Sequence, residues 1–276
     1  MNKLIFATAG IPNKTKPRSY DQAFIDLEEM HLGGMEVEFV HGVNMNSATS
    51  KIVKEISKNK NLVLTAHGPY YINLNSQEQE KIDASIVRII QTARAAYGFG
   101  GYSITFHAAF YMKMDKEYVY KKVKDGFSQI IDILKEENVK IWIRPETTGK
   151  ETQWGDLDEI IRLSKEFDMV LPCVDFSHLH ARTGGKFNTY DEFSLVFEKI
   201  GTEIGEYALK EFHAHIAGIE YSLKGEKRHL NLENADMNYK DLLKAFKAFD
   251  VKGVIVCESP NIEEDALLLQ EFYNSL

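Results

Sequence analysis

The sequence predicts an α/β protein with a single-domain (β/α)8 barrel, the TIM-barrel fold, over residues 1–276. Short runs rich in β-branched and aromatic residues alternate with longer segments in which apolar residues recur every three or four positions. Eight such pairs fit into a chain of 276 residues, which is a usual length for this barrel. No linker rich in proline or glycine and no low-complexity stretch divides the chain, so one domain is expected.

Apolar, β-branched runs predict the strands, because such side chains suit a buried pleated surface. In chain order the predicted strands occupy residues 4–7, 35–40, 62–66, 103–106, 140–144, 170–174, 211–213 and 253–256. One apolar face at helical spacing predicts the helices. They occupy residues 20–30, 47–58, 78–97, 116–136, 157–167, 190–204, 239–249 and 262–273. An open doubly wound sheet is the alternative, but it needs a glycine-rich phosphate loop after the first strand, and residues 8–12 are not one.

Composition excludes several classes of protein. The net charge of −8 argues against a uniformly basic surface for nucleic acid, although it leaves room for local basic loops. The apolar runs are too short to span a bilayer, and the N-terminal segment reaches Pro12 too soon for a signal peptide. Cys173 and Cys257 lie in apolar strand-like runs and are interpreted as reduced, buried thiols. A cytoplasmic protein without membrane contact is expected.

Ionisable side chains follow six consecutive predicted strands at their carboxyl ends, where barrels of this type build their active sites. They are His67, His107, Glu146, Asp175 with His178, His213, and Glu258. Imidazoles and carboxylates bind divalent metals, and burying so many of them together is costly unless a cation compensates them. Seven candidate ligands are too many for one tetrahedral zinc ion. The sequence therefore predicts a centre of two or more ions, which suits phosphodiester hydrolysis.

Four segments connect these residues to a known family. They are residues 67–74 (His-Gly-Pro-Tyr-Tyr-Ile-Asn-Leu), 106–107 (Phe-His), 173–178 (Cys-Val-Asp-Phe-Ser-His) and 255–260 (Ile-Val-Cys-Glu-Ser-Pro). The turn at residues 146–149 (Glu-Thr-Thr-Gly) is similar to the family's Glu-Asn-Thr-Ala-Gly segment. Over essentially its whole length the sequence resembles endonuclease IV, the zinc-dependent apurinic/apyrimidinic endonucleases among the xylose-isomerase-like barrels.

The resemblance implies a DNA-repair hydrolase that acts as a monomer on duplex DNA and cuts 5′ to an abasic site. Nine ligands would hold three zinc ions, with Glu146 and Glu258 as bridging, catalytic carboxylates. His67 and His107 would serve one ion, Asp175 and His213 a second, and His178 with a later Asp-x-His pair the third.

One position departs from the family pattern. His229 matches the histidine of the third zinc site, but Lys227 stands at the aspartate position, where an ammonium would repel a cation. Glu226, one residue earlier, is the candidate replacement. The expectation is two or three ions in total: the third site is either weaker, taking zinc, manganese or magnesium, or lost.

Four residues are candidates for contact with DNA. The family wedges side chains into the base stack and flips the abasic nucleotide, and Tyr70 and Tyr71 match the wedge by position. Lys14 and Arg182 lie in basic loops expected on the same face as the strand ends.

Two other functions remain open. A sugar isomerase or epimerase of the same barrel type would need one ion, held by Glu146, Asp175, His213 and Glu258. That function would leave His67, His107, His178 and His229 without a metal to bind. A non-catalytic relative could keep the ligands and bind DNA or a partner. Among the other buried charges, His215 is expected to share a face with His213 as a hydrogen-bonded histidine, and Arg144 is expected in a buried ion pair.

Overall fold

The structure is a computed structural model that describes every residue from Met1 to Leu276. It has twelve strands: β1 (Leu4–Ala9), β2 (Gly34–Glu38), β3 (Val63–His67), β4 (Ser103–Phe106), β5 (Ala109–Phe110), β6 (Trp142–Pro145), β7 (Gln153–Trp154), β8 (Val174–Asp175), β9 (Phe212–Ile216), β10 (Gly218–Ser222), β11 (Gly225–Leu230) and β12 (Gly253–Cys257). Eight of them form one sheet in the order β6-β4-β3-β2-β1-β12-β9-β8. The predicted α/β fold with eight strands in a TIM-barrel sheet is confirmed.

Ten α-helices alternate with these strands: α1 (Tyr20–Glu29), α2 (Ser47–Asn59), α3 (Gln79–Gly98), α4 (Lys116–Glu136), α5 (Leu157–Ser164), α6 (Phe176–Arg182), α7 (Tyr190–Glu203), α8 (Glu206–Lys210), α9 (Tyr239–Ala248) and α10 (Glu263–Ser275). Polar side chains cap many of their first turns, and α5 and α7 begin with reciprocal capping boxes at Asp156 and Thr189. No helix combines the length and apolar character that crossing a membrane requires.

The chain divides into two compact units. Unit 1 comprises Met1–Glu36, Gly149–Glu151 and Cys173–Leu276. In this unit β1, β12, β9 and β8 pair in parallel, and β10 and β11 form a separate antiparallel hairpin. Four buried aromatic rings pack α6, α7 and α9 against β9. They are Phe176, Phe197, Phe212 and Phe246, and the centroids of the contacting pairs lie 4.8 to 5.7 Å apart. This packing fixes the start of α6, where Asp175 and His178 lie.

Unit 2 comprises Val37–Thr148 and Thr152–Pro172. Its strands β3, β4 and β6 pair in parallel, and the short strands β5 and β7 form an antiparallel ribbon. The Phe106 ring packs on Phe127 of α4, with centroids 5.8 Å apart. The buried Arg144 guanidinium donates to the Pro172 carbonyl at 2.9 Å and lies over the Trp142 and Tyr102 rings. Buried packing therefore holds the ends of these three strands in position, and with them the side chains that follow.

Four local features differ from the sequence-based expectation. The strand predicted at residues 170–174 is reduced to β8 and an isolated bridge at Val170. Helix α6 starts directly after it, with Asp175 as the N-cap, and its seven residues are too few to show a helical period. Strand β9 continues to Ile216, three residues beyond the predicted end. The β10–β11 hairpin was not predicted, because its exposed second strand carries charged residues in succession.

Candidate metal centre

In unit 2 three strand-end side chains converge. His67 ends β3, His107 follows β4 and Glu146 follows β6. The buried Glu146 carboxylate lies with Oε2 3.2 Å from His67 Nε2 and with Oε1 2.9 Å from His107 Nε2. One donor atom from each of the three residues lies within 4.8 Å of the others. We call these residues the strand-end group.

The tautomer of His67 follows from its second contact. Its Nδ1 lies 2.7 Å from the Gly68 carbonyl oxygen, which can only accept a hydrogen bond, so Nδ1 carries the proton. In the neutral ring, Nε2 then presents a lone pair to the Glu146 carboxylate. A lone pair facing an anion is the arrangement that a bound cation stabilises. The donor set therefore fits a divalent metal ion.

In unit 1 a second set is formed by Asp175, His178 and His229, whose donor atoms also lie within 4.8 Å of one another. Asp175 Oδ1 accepts the backbone N–H of His178 at 2.8 Å as the cap of α6, and Oδ2 lies 3.0 Å from His178 Nδ1. His229 is on β11, and its Nε2 is buried without a hydrogen-bond partner. A buried polar atom without a partner costs about 1–3 kcal/mol, so this position also fits a cation. We call these residues the hairpin group.

The hairpin places Glu226, rather than Lys227, beside this group. Glu226 Oε2 lies 3.6 Å from His178 Nε2. Lys227 instead pairs with Glu220 at 3.1 Å, and its side chain is 51% exposed. The expected repulsion by the Lys227 ammonium is therefore not found, because that side chain points to the other strand of the hairpin.

A glycine seats the Glu226 side chain. The backbone N–H of Glu226 donates to the Gly149 carbonyl at 2.9 Å. A Cβ atom on Gly149 would lie 2.6 Å from both Cβ and Oε2 of Glu226, which is closer than such atoms can approach. Gly149 therefore provides the space in which the Glu226 carboxylate lies.

A third set in unit 1 differs from the ligands expected there. Donor atoms of Asp175, His215 and Glu258 lie within 4.8 Å of one another, and His215 Nδ1 is 3.4 Å from Glu258 Oε2. His213, the histidine expected with Asp175, lies deeper along β9, next to Cys173. The reason is the length of β9: the strand ends at Ile216, so His215 is nearer to its carboxyl end by two residues, or about 6.6 Å.

Both histidines of β9 contact Glu36 on β2. Glu36 Oε2 lies 3.2 Å from His213 Nε2, and Oε1 lies 2.9 Å from His215 Nε2, with all three side chains fully buried. Burial by itself would raise the pKa of Glu36, but the imidazoles of His215 and His213 beside it outweigh this effect and hold the pKa well below its ordinary range. Glu36 was not among the predicted site residues, and its signal was a carboxylate inside an apolar strand.

The predicted DNA contacts lie in both units. In unit 2, Tyr70 and Tyr71 are 66% and 61% exposed, and the Tyr70 ring lies 6.3 Å from the His67 ring. The Tyr71 ring stacks on His41. In unit 1, Lys14 is exposed, whereas Arg182 is half-buried and donates to the Lys150 carbonyl.

The chain is 44% identical over 273 residues to an uncharacterized protein of Methanocaldococcus jannaschii, covering 99% of this chain and 98% of that protein. It is 24% identical over 217 residues to apurinic-apyrimidinic endonuclease 1 of Plasmodium falciparum, covering 77% of this chain and 36% of that protein.

Two solved structures share the fold. A D-tagatose 3-epimerase-like protein has a TM-score of 0.75 at 16% identity, covering 98% of this chain and 96% of its own. Endonuclease IV from Thermus thermophilus has a TM-score of 0.72 at 15% identity, covering 99% of this chain and all of its own. Residues 24–276 match the model of the xylose isomerase-like TIM barrel family, and the chain therefore belongs to that family.

Proposed function

We propose that the protein is a metal-dependent endonuclease that hydrolyses the phosphodiester bond 5′ to an abasic site in duplex DNA, acting as a monomer. The observation that carries this proposal is the hairpin group. Its three donors lie within 4.8 Å of one another, and His229 Nε2 is buried without a partner. A barrel that used one ion would not need this set in addition to the strand-end group.

Zinc is the ion that the histidine-rich donor sets favour, with manganese or magnesium as alternatives at the hairpin group. Two or three such ions would supply an activated water and stabilise the charge on the attacked phosphate and the leaving oxygen. Contacts among the ligand residues would hold these ions in position. Glu146 contacts both His67 and His107, and Asp175 both caps α6 and contacts His178.

Exposed aromatic side chains beside the strand-end group support a nucleic-acid substrate. Tyr70 and Tyr71 are mostly exposed, and Tyr70 lies beside His67. Such rings can stack on bases next to an abasic gap, a contact worth about 1–3 kcal/mol per base. Lys14 is an exposed cation that can contact a phosphate, and we include the half-buried Arg182 as a weaker candidate.

Sequence similarity adds independent support. The Plasmodium falciparum relative is an apurinic-apyrimidinic endonuclease, and the match covers 77% of this chain. The chain spans about a third of that protein, so the similarity supports a shared catalytic domain rather than the properties of the whole relative.

A single-metal sugar epimerase is the second candidate. The observation in its favour is the set formed by Asp175, His215 and Glu258, whose donor atoms are close enough to hold one ion by themselves. The similarity in fold to a D-tagatose 3-epimerase-like protein is consistent with this candidate. It leaves the unpartnered nitrogen of His229 unexplained.

The decisive experiment uses a duplex oligonucleotide with one stable abasic analogue and an end label. The purified protein should cut it on the 5′ side of the analogue, lose activity with a chelator and regain it with added zinc. An undamaged duplex of the same sequence is the control for contaminating nucleases. A parallel reaction with D-tagatose and bound manganese tests epimerisation. Epimerisation without any cutting would contradict the endonuclease proposal.

A further inference from the structure

The buried Glu36 carboxylate connects two histidines of a strand that is not its neighbour. In the sheet order, β1 and β12 lie between β2 and β9. Glu36 is aligned with Ala9 of β1, and its side chain nevertheless reaches His213 and His215. The three side chains meet in the interior of unit 1, where none of them is exposed to solvent.

A carboxylate is an expensive group to place there. The cost of transferring it from water is several kcal/mol, and it is offset only when charged or hydrogen-bonding partners surround it. Here each carboxylate oxygen faces one imidazole nitrogen, at 3.2 Å for His213 and 2.9 Å for His215. An apolar side chain would fill the same space without this cost, so a functional reason for the carboxylate is expected.

The two nitrogens of His215 face different groups. Nε2 faces Glu36, whereas Nδ1 faces Glu258 at 3.4 Å and belongs to the set that also contains Asp175. A neutral imidazole carries one proton. If the proton lies on Nε2, toward Glu36, the lone pair on Nδ1 points toward the carboxylates of Asp175 and Glu258. That is a donor atom ready for a cation.

His213 holds the other oxygen of Glu36 and so limits rotation of the carboxylate. The rings of His213 and His215 meet edge to face, with centroids 5.1 Å apart and an angle of 73° between their planes. Residues two apart on a strand point to the same side, which is why both rings reach one carboxylate. Removing either contact would loosen the geometry of the other.

We propose that Glu36 is a positioning residue of the metal centre, which keeps the proton of His215 on Nε2 and so leaves Nδ1 to bind a divalent ion together with Asp175 and Glu258. This inference rests on the proposed function only in its requirement that the chain binds a metal. Carboxylates that accept from the second nitrogen of a metal-bound histidine commonly contribute a factor of about 10–100 to metal affinity.

The first test is Glu36→Gln, which keeps the size and removes the charge. A glutamine offers one oxygen and one amide N–H, so one of the two imidazoles loses its acceptor. Zinc affinity, measured by competition with a chromophoric chelator, should fall about 10–100-fold. Asp265→Asn is the matched control, because Asp265 is also a buried carboxylate of unit 1 but accepts from Leu232 and Asn261. It should bind zinc like the wild type.

A second measurement needs no folded variant. Long-range proton–nitrogen spectra of the metal-free wild type report which ring nitrogen of His215 is protonated, with the ring signals assigned through their scalar connections to the backbone resonances of His215. Protonation at Nε2 agrees with the inference. Protonation at Nδ1, or a folded Glu36→Gln protein with zinc affinity within twofold of the wild type, would overturn it. A wild type that binds no zinc would instead contradict the proposed function, while the protonation state of His215 would still test Glu36.

Discussion

The strand-end group and the hairpin group contain similar side chains but are held in different ways. His67, His107 and Glu146 follow three adjacent strands, and the parallel register of those strands sets their spacing. His229 reaches Asp175 and His178 from a hairpin outside the main sheet. The first group depends on the barrel itself, whereas the second depends on one added hairpin and the glycine against which it lies.

The two ways of holding the ligands predict different effects of mutation on function. The ends of parallel strands are rigid and common to many enzymes with this fold. A hairpin is an addition that can be present or absent without loss of the barrel. We therefore expect changes in the strand-end group to abolish any metal-dependent reaction, and changes in the hairpin group to affect the reaction that needs the additional ion.

The largest effect is expected for Glu146→Gln. Its carboxylate is the anion shared by His67 and His107, and metal chemistry contributes several kcal/mol to such reactions. Incision of abasic duplex should fall about a thousandfold or more, as measured under single-turnover conditions. Glu151→Gln is the control, because Glu151 is exposed and five residues away. Incision at the wild-type rate by Glu146→Gln would exclude the strand-end group from catalysis.

His229→Ala should have the next largest effect. It removes one donor of the hairpin group, so this group should lose its ion and incision should fall about 10–100-fold. The comparison is with Lys227→Ala on the same strand, which changes a side chain that pairs with Glu220 and should leave both ion content and incision unchanged. If the two variants behaved alike, the hairpin would not be a metal-binding element.

Gly149→Ala tests how the hairpin is seated. The added methyl would collide with Glu226, and displacement of that carboxylate should lower metal affinity at the hairpin group about tenfold. Glu226→Ala should cause a similar loss. Both changes act on the Glu226 carboxylate, although the added methyl would still meet the Cβ atom of residue 226 in the double variant, so the two losses should be less than additive. Additive losses would show that Gly149 acts on another part of the structure.

Tyr70→Ala should have the smallest effect. Loss of one stacking ring costs about 1 kcal/mol, so binding of abasic duplex should weaken about fivefold while binding of undamaged duplex changes less. Fluorescence anisotropy with labelled duplexes measures both. Tyr118→Ala on α4 controls for the loss of an exposed ring in the same unit. An equal loss for the two duplexes would remove Tyr70 from the recognition of damage.

Much of the strand-end group could be predicted from the sequence. His67 ends a buried apolar run and Glu146 follows the predicted strand at residues 140–144, and the rule that barrel sites lie at the carboxyl ends of strands then brings them together. The same rule predicts that Asp175 and Glu258 lie at the carboxyl ends of their strands. It requires only the approximate end of each strand, which hydrophobic patterning supplies.

The remaining features depend on details that patterning does not contain. The sequence favours His213 over His215 as the ligand, because the predicted strand ends three residues before the observed end of β9. Glu226 is a candidate from the sequence through its place next to Lys227, but its position beside His178 depends on a hairpin register that shifts between Glu220 and Tyr221. Glu36 contacts residues about 180 positions later in the chain, and no local pattern encodes such a pairing.

The number of metal ions bound to each chain tests the proposed metal centre most directly. Elemental analysis combined with native mass spectrometry should find more than one ion in the wild type. It should find one fewer in His229→Ala and an unchanged number in Lys227→Ala. A wild type with a single ion that His229→Ala retains would contradict the proposed multinuclear centre and would favour the single-metal epimerase.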